Sequence, residues 1–239
     1  MSITGKSLGQ LWHQFPSGPH YYFWEDFDEE TSTSPAEWSG TAIASGTAVM
    51  TVDELGGVVR LANNGTDDDS GFQIQTDMEL FALQASKELR FLSRLKTSDV
   101  TQTSFFVGIA ITDTTIQHAT TDTLAAGLTI SDGIGFYKPD GEATIYGVIV
   151  RDSVLVATGT LKALTDATYH VLAFKVEMTD TAGKGTVYFY IDGVELGRNS
   201  STTMPYSSEE ILTGALSWKS TEAAANTCDV DYIGVVVER

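Results

Sequence analysis

Val187-Tyr188-Phe189-Tyr190-Ile191-Asp192-Gly193-Val194-Glu195-Leu196 is the stretch that decides the fold class. Val187, Phe189 and Ile191 fall on one face and Tyr188 and Tyr190 on the other, the period of two that an extended strand imposes. Asp192-Gly193 then breaks the run, and a glycine there takes positive φ at little cost, so the chain can reverse into Val194–Leu196. The same pattern recurs along the chain. Pro139-Asp140-Gly141 separates Ile134–Lys138 from Ala143–Val150, and Arg151-Asp152-Ser153 offers a third reversal. Leu89, Phe91 and Leu95 alternate with Arg90, Arg94 and Lys96, and near the end Val230, Tyr232 and Gly234 alternate with Ile233, Val235 and Val237. Strands are expected near 21–28, 47–53, 56–62, 71–76, 88–96, 104–112, 134–138, 143–151, 153–158, 168–178, 185–198, 211–218 and 228–237. Only two short helices are expected, Asp77–Leu83 with Asp77 as N-cap and Thr121–Ala126. This is an all-β chain, a two-sheet antiparallel sandwich or jelly roll. With no linker, composition shift or repeat, residues 21–239 read as one domain. Residues 1–20 follow neither period and read as an extended N-terminal arm whose Leu11, Trp12 and Phe15 are costly to leave in water.

Composition narrows the partners. The 239 residues hold 14 Lys+Arg against 32 Asp+Glu, a formal net charge of −18. Nucleic-acid backbones and anionic membranes both need clustered cations, so neither is an expected partner. No apolar run approaches the roughly 18 residues of a membrane span, and Met1–Gln10 has no apolar core of a secretory signal. Cys228 is the only cysteine, which excludes an internal disulfide and a Cys-rich zinc site. It borders an apolar strand and is expected to be a small buried hydrophobe.

Few residues offer chemistry. Asp67, Asp68 and Asp69 lie in a polar loop and form a candidate Ca²⁺ site, since a hard cation takes carboxylate and carbonyl oxygens; consecutive Asp residues in an extended chain nevertheless point apart. No other cofactor is expected. Asp26, Asp28 and Glu30 would share a strand face, as a glycosidase pair must, but Phe27 breaks the laminarinase-type Glu-x-Asp-x-x-Glu pattern, and they read as a solvated strand end. His13, His20, His118 and His170 form no metal-ligand spacing, and His170 reads as structural. Ala182-Gly183-Lys184-Gly185-Thr186 lacks the first glycine of a phosphate loop. Trp12, Trp24, Trp38, Trp218 and Tyr206 could stack on a glycan if the fold brought them together.

Phe23-Trp24-Glu25-Asp26-Phe27 and Val230-Asp231-Tyr232-Ile233-Gly234-Val235-Val236-Val237 resemble the terminal strands of concanavalin A-like, or laminin G-like, jelly rolls. Taken with Gly56–Leu61, Phe106–Ala110, Asp132–Lys138 and Val187–Gly193, the set resembles structural proteins of tailed phages and prophages over roughly Tyr21–Arg239. The resemblance implies that first and last strands pair side by side. It also implies a non-enzymatic virion protein, made in the bacterial cytoplasm, that decorates or cements the head shell. Its partners would be the major capsid protein and sister copies, with a trimer suited to local shell axes, and Leu11, Trp12 and Phe15 would anchor it. A glycan- or receptor-binding module of a tail fibre is the alternative, and a degenerate glucanase the third.

Overall fold

Strands are numbered along the chain in a computed structural model that describes residues 19–27, 37–51, 57–117, 123–124, 126–181, 183–201, 204–205 and 211–239. An eight-stranded sheet runs β13 (Val194–Ser201), β12 (Gly185–Ile191), β11 (His170–Met178), β6 (Glu88–Thr97), β15 (Thr227–Glu238), β4 (Val58–Ala62), β3 (Thr47–Thr51), with β1 (His20–Glu25) also on β15. A seven-stranded sheet runs β10 (Val154–Ala163), β9 (Thr144–Arg151), β8 (Gly133–Lys138), β7 (Thr103–Ala110), β14 (Thr213–Ser220), β5 (Ser70–Thr76), β2 (Trp38–Ile43). All pairings are antiparallel, and the chain is an all-β jelly-roll sandwich with no helix among the described residues.

The alternating residues meet between the sheets. Phe91 of β6 stacks on Phe174 of β11 with centroids 5.0 Å apart. Phe136 of β8, from the opposite sheet, sets its edge against Phe189 of β12 at 5.4 Å. The contact is so close that a side chain on Gly147 of β9 would lie 2.7 Å from the Phe189 ring. Cys228 is buried here, and desolvation pushes its thiol pKa up.

β15 organises one side of the molecule. Its Thr227–Val230 half pairs with β4 and its Ile233–Glu238 half with β1, while β6 runs along its other edge. The implied side-by-side terminal strands are therefore present, in the register His20↔Glu238 to Glu25↔Ile233. The Arg239 amide closes this corner on the Pro19 carbonyl at 2.9 Å. A bulge between Val230 and Tyr232 inserts Asp231, so Asp229 sits opposite Lys96 and Tyr232 opposite Arg94. Without that extra residue the two halves of β15 could not present these side chains on the same outward face.

The turns follow their chemistry. Asp192 and Gly193 adopt φ of 53° and 79° in a two-residue hairpin, and Asp152 and Ser153 make the next one with φ of 49° and 61° although neither is glycine. One expectation fails. Asp77–Leu83 is extended, with Phe81 bridged to Leu212 and both Phe81 and Leu83 buried, so its apolar residues follow a period of two. The Asp77 carboxylate accepts the Ser39 hydroxyl rather than capping a helix. Within Thr121–Ala126, residues 121, 122 and 125 lie outside the described residues, and the Gly127 amide closes a turn on the Thr123 carbonyl. β2 was not anticipated: only Trp38 of its Trp-Ser-Gly-Thr-Ala-Ile sequence is buried, so an edge strand shows little pattern.

Phe174 touches the rings of Phe91, Phe136 and Phe189. Phe174→Ala is expected to lower unfolding free energy by about 3–5 kcal/mol, through lost transfer energy and a residual cavity, as read by urea denaturation.

Candidate functional site

Seven strands with no Asp or Glu among them make up the sheet of β2, β5, β7, β8, β9, β10 and β14. In a chain with 32 acidic residues, this sheet supplies no carboxylate pair for glycoside hydrolysis. Its outer face is also covered. Ile116, Leu124, Leu128 and Ile130, from the connection between β7 and β8, pack with Phe106, Tyr137, Val148, Val150 and Ala215. Three glutamines fasten that connection. Gln73 donates to the Asp113 carbonyl at 2.7 Å and accepts the Ile116 amide at 3.0 Å. Gln75 donates to the Ile111 carbonyl at 3.1 Å and accepts the Asp113 amide at 3.0 Å. From the connection itself, Gln117 donates to the Ser217 carbonyl at 2.7 Å and accepts the Ser104 hydroxyl at 2.7 Å.

The Asp-rich loop does not converge. The Asp67 carboxylate accepts the Ser45 hydroxyl at 2.5 Å and the Asn64 amide at 2.7 Å, hydrogen bonds that hold its pKa below the usual carboxylate value. Asp68 is exposed, and Asp69 pairs at 3.0 Å with Lys219, whose side chain is wholly buried. Among the described residues no group of three His, Cys, Asp or Glu could hold a metal ion.

The outer face of the eight-stranded sheet is different. It gathers charge and aromatic rings together. Asp229 receives both Nε and Nη2 of Arg60, at 2.6 and 2.8 Å, and lies 3.3 Å from the Lys96 ammonium. Burial opposes its charge, but Arg60 and Lys96 outweigh it and hold the carboxyl below its ordinary pKa. Arg94 pairs with Asp231 and lies 4.0 Å over the Tyr169 ring, with Lys96 4.3 Å from the same ring. Arg90 pairs with Glu88, and Lys175 donates at 2.6 Å to Glu177, which also accepts the Tyr188 hydroxyl at 2.9 Å. Burial, then Glu195, push the Tyr190 phenol up to about 12. On the β1 side Trp24 stacks on Tyr232 at 4.9 Å, and Trp24 and Tyr22 remain 51% and 57% exposed.

The aromatic set proposed from sequence is therefore split. Trp38 and Trp218 are core residues, Trp24 alone is on a surface, and Trp12 and Tyr206 lie outside the described residues. Tyr22 and Tyr232 were missed; alternation with buried Phe23 was the available signal for Tyr22, whereas the β15 bulge places Tyr232. Leu11, Trp12 and Phe15 also lie outside the described residues, as do Asp28 and Glu30. Glu25 is engaged internally, accepting the Phe27 amide at 2.8 Å and the Trp38 indole at 3.2 Å. His170 is structural: its Nδ1 lies 2.9 Å from Asp192, while Nε2 accepts the Thr165 amide at 3.3 Å.

No known family model matches this chain, and no curated protein does. Solved structures do resemble it. A protein of unknown function from Shewanella oneidensis MR-1 superposes with a TM-score of 0.61 at 19% identity, over 100% of this chain and 97% of that one. An endo-1,3-β-glucanase from Streptomyces sioyaensis gives 0.58 at 14% identity, over 93% and 98%. The CBM2 module of the evolved Dit of Lactobacillus casei BL23 phage J-1 gives 0.57 at 10% identity, over 93% and 98%. These likenesses define the fold as the concanavalin A-like jelly roll shared by lectins and glucanases.

Two measurements check this geometry. Adding Ca²⁺ or a chelator is expected to move the melting temperature by less than about 1 °C, whereas a site saturated at 100 times its Kd would add about 2.7 kcal/mol. Asp229→Asn is expected to cost about 1.5–3 kcal/mol at neutral pH, the range for hydrogen bonds to a charged group. Because folding depresses the Asp229 pKa, its contribution is complete above the unfolded value of about 3.9 and fades as pH falls through the lower folded value. Urea denaturation should show the gap between variant and wild type closing in strong acid.

Proposed function

We propose that this protein is a non-enzymatic structural component of a tailed-phage particle that decorates or cements the head shell. The observation that carries the non-catalytic half is the carboxylate-free seven-stranded sheet, whose outer face is occupied by the chain's own glutamine-fastened connection. A glycosidase needs two carboxyl groups flanking an open cleft. The phage half rests on the resemblance of the terminal and central strand motifs, and a phage Dit module with the same fold accords with it. Capsid protein and sister copies are the expected partners. One observation favours glycan or receptor recognition on a tail as a second reading: the exposed Tyr22 and Trp24 rings beside Tyr232 can stack on apolar ligand faces.

Quantitative mass spectrometry of purified particles tests the placement. A count on the order of hundreds per particle is expected of a head component that follows shell symmetry, and a few copies would assign it to the tail. Incubation with β-glucans is expected to release no reducing sugar. Release that persists through repurification would overturn the non-enzymatic reading.

A further inference from the structure

Asn64 lies in the loop from β4 to β5, and of the four asparagines in the chain it alone is followed by glycine. Asn63, Asn199 and Asn226 precede Asn64, Ser200 and Thr227. An asparagine carboxamide closes to a succinimide when the next amide nitrogen attacks it, and a side chain on the attacking residue crowds that approach. Gly65 has no side chain, and its φ of 75° lies where other residues are rarely found. Asn64 is exposed, so water reaches it, whereas Asn63 and Asn226 are buried. Its carboxamide is also held in one orientation. Oδ1 accepts the Thr66 amide at 2.9 Å and the Asp67 amide at 3.0 Å, and Nδ2 donates to the Asp67 carboxylate at 2.7 Å.

We propose that Asn64 is a site of spontaneous deamidation, through a succinimide closed by the Gly65 nitrogen. Bonds from the two amides beyond Gly65 fold the carboxamide back along the chain, toward the nucleophile. As the bond from the Gly65 nitrogen to Cγ forms, negative charge gathers on Oδ1, where the Thr66 and Asp67 amides already point. Donors placed in advance at a developing oxyanion stabilise it without reorganisation. The Gly65 proton passes to water. The Cγ–Nδ2 bond then breaks, and Nδ2 takes a proton from water and leaves as ammonia. Its developing positive charge faces the Asp67 carboxylate, which hydrogen bonds from Ser45 and Asn64 keep ionised. A water molecule next opens the ring. Attack at Cγ gives aspartate, and attack at the backbone carbonyl gives isoaspartate, with the chain running through the former side chain. One water is consumed and one ammonia released, with no change of oxidation state.

The product carries a consequence for the loop. A carboxylate at position 64 removes the Nδ2 donor and places like charge beside Asp67, which raises the Asp67 pKa. The bond from the Ser45 hydroxyl to Asp67, at 2.5 Å the tie between the β2–β3 turn and this loop, then loses its support. The pairing of Asp69 with Lys219 is untouched, so the loop stays attached to β14. Each copy gains one negative charge.

Peptide mass spectrometry of the full chain, kept for weeks at mildly alkaline pH, tests this. Conversion at Asn64 is expected to outpace that at Asn63, Asn199 and Asn226, with isoaspartate in the product and a new acidic species on ion exchange. The folded chain is expected to convert at least as fast as the same chain in urea, because the fold supplies the donors. Asp67→Asn keeps an acceptor for Nδ2 and removes the charge; it should slow conversion at Asn64 several-fold in the folded chain, with a melting temperature near wild type. Gly65→Ala should leave Asn64 intact both folded and in urea. An Asn64 that converts in urea but is protected in the folded chain would overturn the proposal. So would conversion at Asn199 keeping pace with Asn64, or a folded Asp67→Asn chain that reacts at the wild-type rate.

Discussion

The pairing of β15 along both of its edges is the constraint on which the rest depends. Its outer edge takes two strands in succession, β4 and then β1, and its inner edge takes β6. β1 and β15 are separated by nearly the whole chain, so their ladder closes a loop of about 200 residues, whose entropic cost grows only slowly with length. Pairing of this kind is distant in sequence and correspondingly slow to form. The inward side chains of this sheet, Phe91, Val235 and Phe174, complete the core only after β15 is in place. The eight-stranded sheet is thus finished by pairings that reach far back along the chain, and until they form Phe23 and Trp38 have an incomplete wall to pack against.

The two sheets solve the problem of covering their outer faces by different means. The seven-stranded sheet uses its own chain, fastening a connection with neutral amides that satisfy that segment's backbone groups. Its strands can then be buried on both sides, and β7 and β14 are buried at every position. The eight-stranded sheet instead uses long charged side chains whose aliphatic stems cover apolar surface while their heads pair with one another. Asp229 shows the consequence: it is only 3% exposed yet remains in its charged form, because Arg60 and Lys96 provide what water would otherwise supply.

The strands legible in the sequence are those whose alternation is enforced by burial on one face, such as Val187–Ile191, where each inward residue meets another ring or branched chain. The hairpin at Asp192-Gly193 was legible because local backbone sterics alone decide it. β2 was not, since an edge strand with mostly exposed residues has no burial pattern to display. Asp77–Leu83 misled because an acidic residue ahead of spaced apolar groups satisfies a helical start as readily as an extended segment. At the surface, Trp24 could be named but not its neighbours. A one-residue bulge carries Asp231 and Tyr232 to their places, and no local propensity announces it. Gln73 and Gln75 carry no local signal of their role either, because their partners lie 36 to 43 positions away.

The 2.9 Å bond from the Arg239 amide to the Pro19 carbonyl places both ends of the sandwich at one corner. A peptide or fluorophore fused behind Arg239 would leave the molecule beside residue 19 and far along the chain from the hairpin tips at Asp152-Ser153 and Asp192-Gly193. The same proximity makes the fold a candidate for circular permutation: a short linker could join the two ends, and new termini could be opened at either tip. Cargo could then be displayed from a chosen end of the sandwich without changing a strand.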